Sequence, residues 1–132
     1  MVDRKARCGI RAGRSPMDVR RVRAGLELDA NGRKGGKVWR EKFDRFGAVV
    51  RDYGVVSRLL EPRTGQFTVI LAGLGTNGTE AATEFVTNES ILEVALGNAP
   101  RDWQTKNMQI MLETNVTNSV PGPPHVVAAY HW

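Results

Sequence analysis

A chain of 132 residues, 41% of them hydrophobic, suits one domain with a modest core. No run approaches the roughly 18 apolar residues of a membrane span, no apolar block follows the basic N-terminus as an export signal requires, and the single cysteine, Cys8, excludes an internal disulfide, so a cytoplasmic protein is the default. The net charge of +5 hides a division: residues 1–45 carry 14 Lys/Arg against 6 Asp/Glu, a net +8, while residues 46–132 carry 5 against 8, a net −3.

Residues 1–36 show no sustained period of 2 or 3.6, and their apolar residues are scattered among Gly, Arg and Lys. Such a segment buries too little to offset the entropy of ordering it. The expectation is a basic, mostly disordered leader with a short helical turn near Met17 to Arg23. Its densest cationic cluster is Arg20, Arg21 and Arg23, followed by Arg33, Lys34 and Lys37. Tails of this kind hold phosphate backbones without sequence preference, and non-specific nucleic-acid binding is one reading of it; a solvated tail is the other.

Residues 37–132 read as a single α/β domain. Trp39, Phe43, Phe46 and Val50 recur at steps of four, three and four, which predicts one face of a helix from Val38 to Val50. "YGVVSRLL" and "QFTVILAGL" are β-rich runs separated by "EPRTG", whose Pro and Gly supply turn geometry; together they predict a hairpin. The continuous apolar stretch Val69 to Ala72 predicts a central strand buried on both faces.

"TEAATEFV" predicts a helix after the Gly-rich turn, with Asn77 or Thr79 as N-cap and Asn77 with Glu80 as a capping box. "NESILEVALGNAP" predicts a second helix with Ile91, Leu92, Ala95 and Leu96 on one face, stopped near Gly97 to Pro100. "KNMQIMLETNV" alternates as a strand, and "HVVAAYHW" supplies another after the loop "TNSVPGPP". The expected fold is α+β: a four-stranded mixed or antiparallel sheet in ββ-α-α-ββ order with two covering helices, behind the basic leader.

Several motifs fall in order over about 80 residues: D-Y-x-[IV]-[IV]-[ST]-R from Asp52, a TGQ turn, G-T-x-A-A-x-E-F from Gly78, D-W-x-x-K-N-[MF] from Asp102, and G-P-P from Gly122. In this the chain resembles the C-terminal domain of uncharacterised bacterial proteins, carried in the wider group behind DNA-binding or signalling modules. The resemblance implies an accessory or sensory role. In related domains an extra strand and helix precede the hairpin; the basic leader stands there in this chain, which implies an uncovered sheet edge and, through it, self-association or a protein partner.

Gly73, Gly75 and Gly78 match the G-x-G-x-x-G pattern between a predicted strand and a predicted helix. Helix N-termini with free N–H groups attract anions, so Gly73, Gly75, Thr76, Asn77, Gly78 and Thr79 are the candidate ligand-binding residues, and a phosphate- or nucleotide-binding enzyme is the alternative function. The dinucleotide fingerprint wants an acidic residue about 20 positions on, where Asn98 stands, and no Lys follows as in a P-loop. A tight strand-to-helix reversal is the competing reading of the same glycines.

His125 and His131, six apart on a predicted strand, share a face by alternation, but no Cys, His or carboxylate joins them in the sequence as a metal set. Glu80 and Glu84 fit a solvated helix face, and no nucleophile–base pair is visible. The reading is a non-catalytic accessory, sensory or interaction domain, with no cofactor and no metal.

Overall fold

The computed structural model of the chain describes residues 17–22, 25–30 and 38–132. Three short strands open it: β1 (Met17–Val22), β2 (Gly25–Ala30) and β3 (Val38–Arg40), joined antiparallel in the order β1-β2-β3. This corrects the expectation for the leader, since residues 17–22 are a strand and not a helical turn, and 25–30 pair with them. The remainder of residues 1–37 lies outside the described residues.

The expected helix from Val38 to Val50 is also absent. After β3 comes β4 (Lys42–Phe43), then a tight turn into β5 (Val49–Glu61). The Asp44 carboxylate accepts from the amides of Phe46 (2.8 Å) and Ala48 (2.9 Å), and Gly47 adopts φ +84°. A short acidic side chain that bonds its own backbone, with a glycine in the left-handed region, overrides a helical apolar period. Trp39 goes into the core while Phe46 is left 80% exposed.

From β5 onward the expected ββ-α-α-ββ order holds, except that a two-residue strand, Val120–Pro121, lies inside "TNSVPGPP", which was expected to be a loop. β5 turns through Gly65 (φ +69°) into β6 (Gln66–Gly73); helices α1 (Thr76–Thr87) and α2 (Glu89–Gly97) follow; then come a 3-10 turn (Trp103–Thr105), β7 (Met108–Thr117), β8 (Val120–Pro121) and β9 (His125–His131). The sheet is wholly antiparallel and has six strands where four were expected. Its four main strands run β6-β5-β7-β9; β4 extends the β6 side of β5, and β8 extends the β9 side of β7.

This order corrects a second expectation. The apolar run Val69 to Ala72 belongs to an edge strand, with Val69 53% and Ile70 40% exposed, and the strands buried on both faces are β5 and β7. An apolar run reports affinity for a sheet interior; which side of β5 receives β7 is decided by the helical crossover, which carries the chain from β6 over β5 to β5's far edge.

Both helices cover one face. There Val56, Met108, Ile110 and Leu112 pack with Ala82 and Phe85, and Leu71, Ile91, Leu92 and Leu96 seal the margin. On the other face Trp39 of β3 packs with Tyr53, Val55, Leu74 and Met111, flanked by Val127, Ala128 and Tyr130. Arg58 closes the far end of the helix-covered face. Its guanidinium donates to the carbonyls of Trp103 (3.2 Å), Lys106 (3.2 Å) and Gln104 (3.0 Å), and lies 3.4 Å from the Phe67 ring centroid. One rigid fork thereby bonds three carbonyls of a tight turn, of which that of Trp103 also accepts from Lys106 N (3.1 Å), and burial lowers the Arg58 pKa from its ordinary value.

Candidate functional site

The Gly-rich segment forms one compact turn at the head of α1: Gly73 ends β6, Gly75 precedes the helix, and Thr76, Asn77, Gly78 and Thr79 make its first turn. The structure therefore brings the six candidate ligand-binding residues together. None of these three glycines has a positive φ, so left-handed geometry is not why they are there. Close approach is. A Cβ on Gly78 would overlap the Tyr53 carbonyl, and one on Gly54 would overlap the Gly78 carbonyl. The first turn of α1 thus rests on the backbone of β5 itself, with Ala82 the next small residue on the same helix face.

Neither Asn77 nor Thr79 caps the helix, and the first turn holds no acidic residue. The cap comes from another strand. Asp52 of β5, fully buried, directs its carboxylate at the helix head: Oδ2 accepts from Gly78 N (2.6 Å), and Oδ1 from Gly75 N (3.2 Å) and Tyr53 N (2.7 Å). The amides a bound phosphate would use are those this carboxylate already holds, and a negative charge here is favoured by the helix dipole as well. Thr79 turns its hydroxyl inward to donate to the Gly75 carbonyl at 3.2 Å.

A second carboxylate stands beside the first. Glu41, between β3 and β4, comes so close to Gly75 that a Cβ there would lie 2.5 Å from Glu41 Oε1 and 2.9 Å from Asp52 Oδ2. Burial, and then the charge of Asp52, raise the Glu41 pKa above the ordinary 4.5. The absent side chain of Gly75 is the room these two carboxylates share.

On the face away from the helices, a cleft of about 530 Å³ opens between β3 and the sheet, lined by Trp39, Arg40, Lys42, Tyr53, Glu113 and Val127. At its floor the Tyr53 hydroxyl donates to Glu113 Oε2 (3.0 Å), and Arg51 Nε lies 3.6 Å from Glu113 Oε1 and donates to Asn115 Oδ1 (3.2 Å). Burial and the neighbouring Glu113 carboxylate raise the Tyr53 pKa above 10.0. A second groove, about 570 Å³ and mostly apolar, lies between α2 and β9, lined by Ile91, Val94, Ala95, Ile110, Val126 and Ala129.

By register the two histidines oppose residues on different faces of β7, although both border the groove between α2 and β9. His125 opposes Glu113 and His131 opposes Met108, with a register shift between Met111 and Leu112 that leaves Val127 as an extra residue. A bulge inserts one residue into a period of two, and every side chain beyond it changes sides. His131 Nε2 is buried without a hydrogen-bond partner, and burial, then Lys106, lower its pKa from 6.5. Among the described residues, no three His, Cys, Asp or Glu side chains group as a metal set. Of the cationic cluster, Arg20 and Arg21 lie in β1, while Arg23, Arg33, Lys34 and Lys37 lie outside the described residues.

Sequence reasoning missed Asp52, Glu41 and the Tyr53–Glu113–Arg51 group. A signal for Asp52 existed. Aspartate is depleted in strand interiors, and the helix after Gly75 offers no acidic residue in its first turn, so a strand carboxylate and a helix lacking its cap were complementary vacancies.

Fold and site together define an α+β domain with an antiparallel sheet, helices on one face, and a helix head closed by a carboxylate of the same chain; among the described residues no helix is long and apolar enough to cross a membrane. No family model, curated protein or solved structure matches the chain.

Proposed function

We propose that the chain is a non-catalytic accessory or sensory domain of a bacterial signalling-type protein, acting through its surface, with the Gly73–Thr79 turn serving the backbone. The observation that carries this reading is Asp52: its buried carboxylate accepts from Gly75 and Gly78, the amides that the G-x-G-x-x-G pattern would aim at a phosphate. A nucleotide seated there would have to displace a buried charge that already makes charge-assisted bonds, with Glu41 beside it adding repulsion for any second anion. The resemblance to domains carried behind DNA-binding and signalling modules supports the accessory role.

The test is titration of the isotope-labelled protein with inorganic phosphate, ATP and NAD. The amide signals of Gly75 to Glu80 are expected to stay in place. Saturable shifts confined to those residues would refute the reading and favour the nucleotide-handling alternative.

A further inference from the structure

Six described strands pair on one edge only; β3, β4 and β8 are two or three residues long, which leaves three long enough to template a partner strand: β1, β6 and β9. Edge strands invite pairing with another chain unless charge, proline or a bulge blunts them. β9 is blunted by its bulge at Val127 and by Pro123 and Pro124 just before it. β1, "MDVRRV", carries one acidic and two basic residues. β6, "QFTVILAG", has none of these devices: no charge, no proline, and an unbroken register with β5 from Gln66 to Gly73. It leaves Val69 and Ile70 exposed on opposite sides of the sheet, yet it is the most apolar of the three edges.

We infer that β6 pairs with β6 of a second copy of this chain, forming a two-fold dimer with a continuous sheet. A two-fold axis normal to the sheet, through Val69 or Ile70, sets the strands antiparallel and keeps both helical layers on one side. Opposed residues then point to the same face. With the axis at Ile70, Ile70 meets its own copy, Val69 meets Leu71 and Thr68 meets Ala72; with the axis at Val69, Phe67 meets Leu71. Each register sets uncharged residues against one another, so the strand complements itself without like-charge contact.

Size sets the strength. Eight residues at about 3.4 Å each give an edge of roughly 27 Å, and a sheet layer is about 10 Å thick. The resulting section, about 270 Å², is well below the roughly 800 Å² per partner of a tight complex. The dimer is therefore weak and exchanging, in the micromolar range or above.

Sedimentation equilibrium of the full chain from about 1 µM to about 1 mM spans that range. The expected result is a monomer–dimer equilibrium whose Kd rises about tenfold or more in Ile70→Lys. Val126→Lys, on the exposed part of β9, is expected to leave it unchanged. Circular dichroism reports whether Ile70→Lys still folds. Independently of any variant, the amides of β6 that do not bond β5 gain protection from hydrogen exchange as concentration rises. A monomer throughout, a dimer indifferent to Ile70→Lys, or one broken by Val126→Lys would overturn the inference. None of these outcomes touches the phosphate titration, so the two readings fail separately.

Discussion

Replacing Asp52 with alanine removes the one group that closes the head of α1. Gly78 N and Tyr53 N lose a buried acceptor and Gly75 N a half-buried one. A buried donor left unpaired costs about 1–3 kcal/mol, and bonds to a charged acceptor stand at the upper end of that range. Relief of the repulsion from Glu41 and of the burial of a charge offsets part of this. The expected net loss is about 2–4 kcal/mol, a fall in Tm of roughly 10–20 °C for a domain of this size. Urea unfolding followed by circular dichroism measures it. Asp52→Asn keeps one oxygen but presents an amide to the other donors, so it falls between wild type and Asp52→Ala. The variant also makes a sharper test. With its own carboxylate gone, the helix head is a vacant anion site, so sulfate or phosphate stabilises Asp52→Ala more than wild type, beyond the general salting effect common to both. A loss under about 1 kcal/mol, or equal anion stabilisation of the two proteins, would refute the claim that Asp52 fills the site.

Three other outcomes follow from the geometry. Gly78→Ala drives a methyl into the Tyr53 carbonyl, so α1 must lift from β5; a loss of about 3 kcal/mol by thermal unfolding is expected, whereas Gly97→Ala, in α2 where a Cβ meets nothing, is expected to be neutral or slightly stabilising. Arg58→Ala removes three bonds to turn carbonyls, those of Gln104 and Lys106 losing this donor while Trp103 keeps Lys106 N, and uncovers Phe67, costing about 1–3 kcal/mol in urea melts; Arg58→Lys recovers little of it, because an ammonium lacks the planar fork. For Glu41 the sign runs against the usual carboxylate. Its folded pKa lies above 4.5, so the folded state keeps a proton that the unfolded chain has lost, and stability present below 4.5 declines as pH rises through the folded value. Glu41→Gln is therefore expected to raise the unfolding midpoint near neutral pH and not below 4.5, which a pair of thermal scans decides.

Elements whose signals are local came through the sequence well. Pro62 and Gly65 marked the β5–β6 hairpin, and the alternation of Met108, Ile110 and Leu112 marked the helix-covered side of β7. The apolar stripe marked α2, and the structure adds Asn88 as its cap, accepting from Ile91 N. Where two local signals competed, periodicity misled: the apolar steps from Trp39 to Val50 fit a helix, but Asp44 and Gly47 closed a turn inside it. One extra residue at Val127 takes His125 and His131 out of simple alternation, and nothing in "HVVAAYH" marks where a bulge falls.

The amino-acid string by itself determined the main elements from β5 to β9 apart from the short β8, their order and the place of the strand-to-helix turn, because apolar period and turn residues act over a few neighbouring positions. Tertiary structure decided which strand became an edge, why the turn is glycine-rich, and what occupies the helix head. Those depend on encounters between distant segments: β7 docking beside β5 left β6 at the rim, the backbone of β5 left no room for a Cβ on Gly78, and Asp52 reached amides more than twenty positions away. A carboxylate and the N–H groups it satisfies have no characteristic spacing along a chain, so only the folded arrangement brings the pair to light.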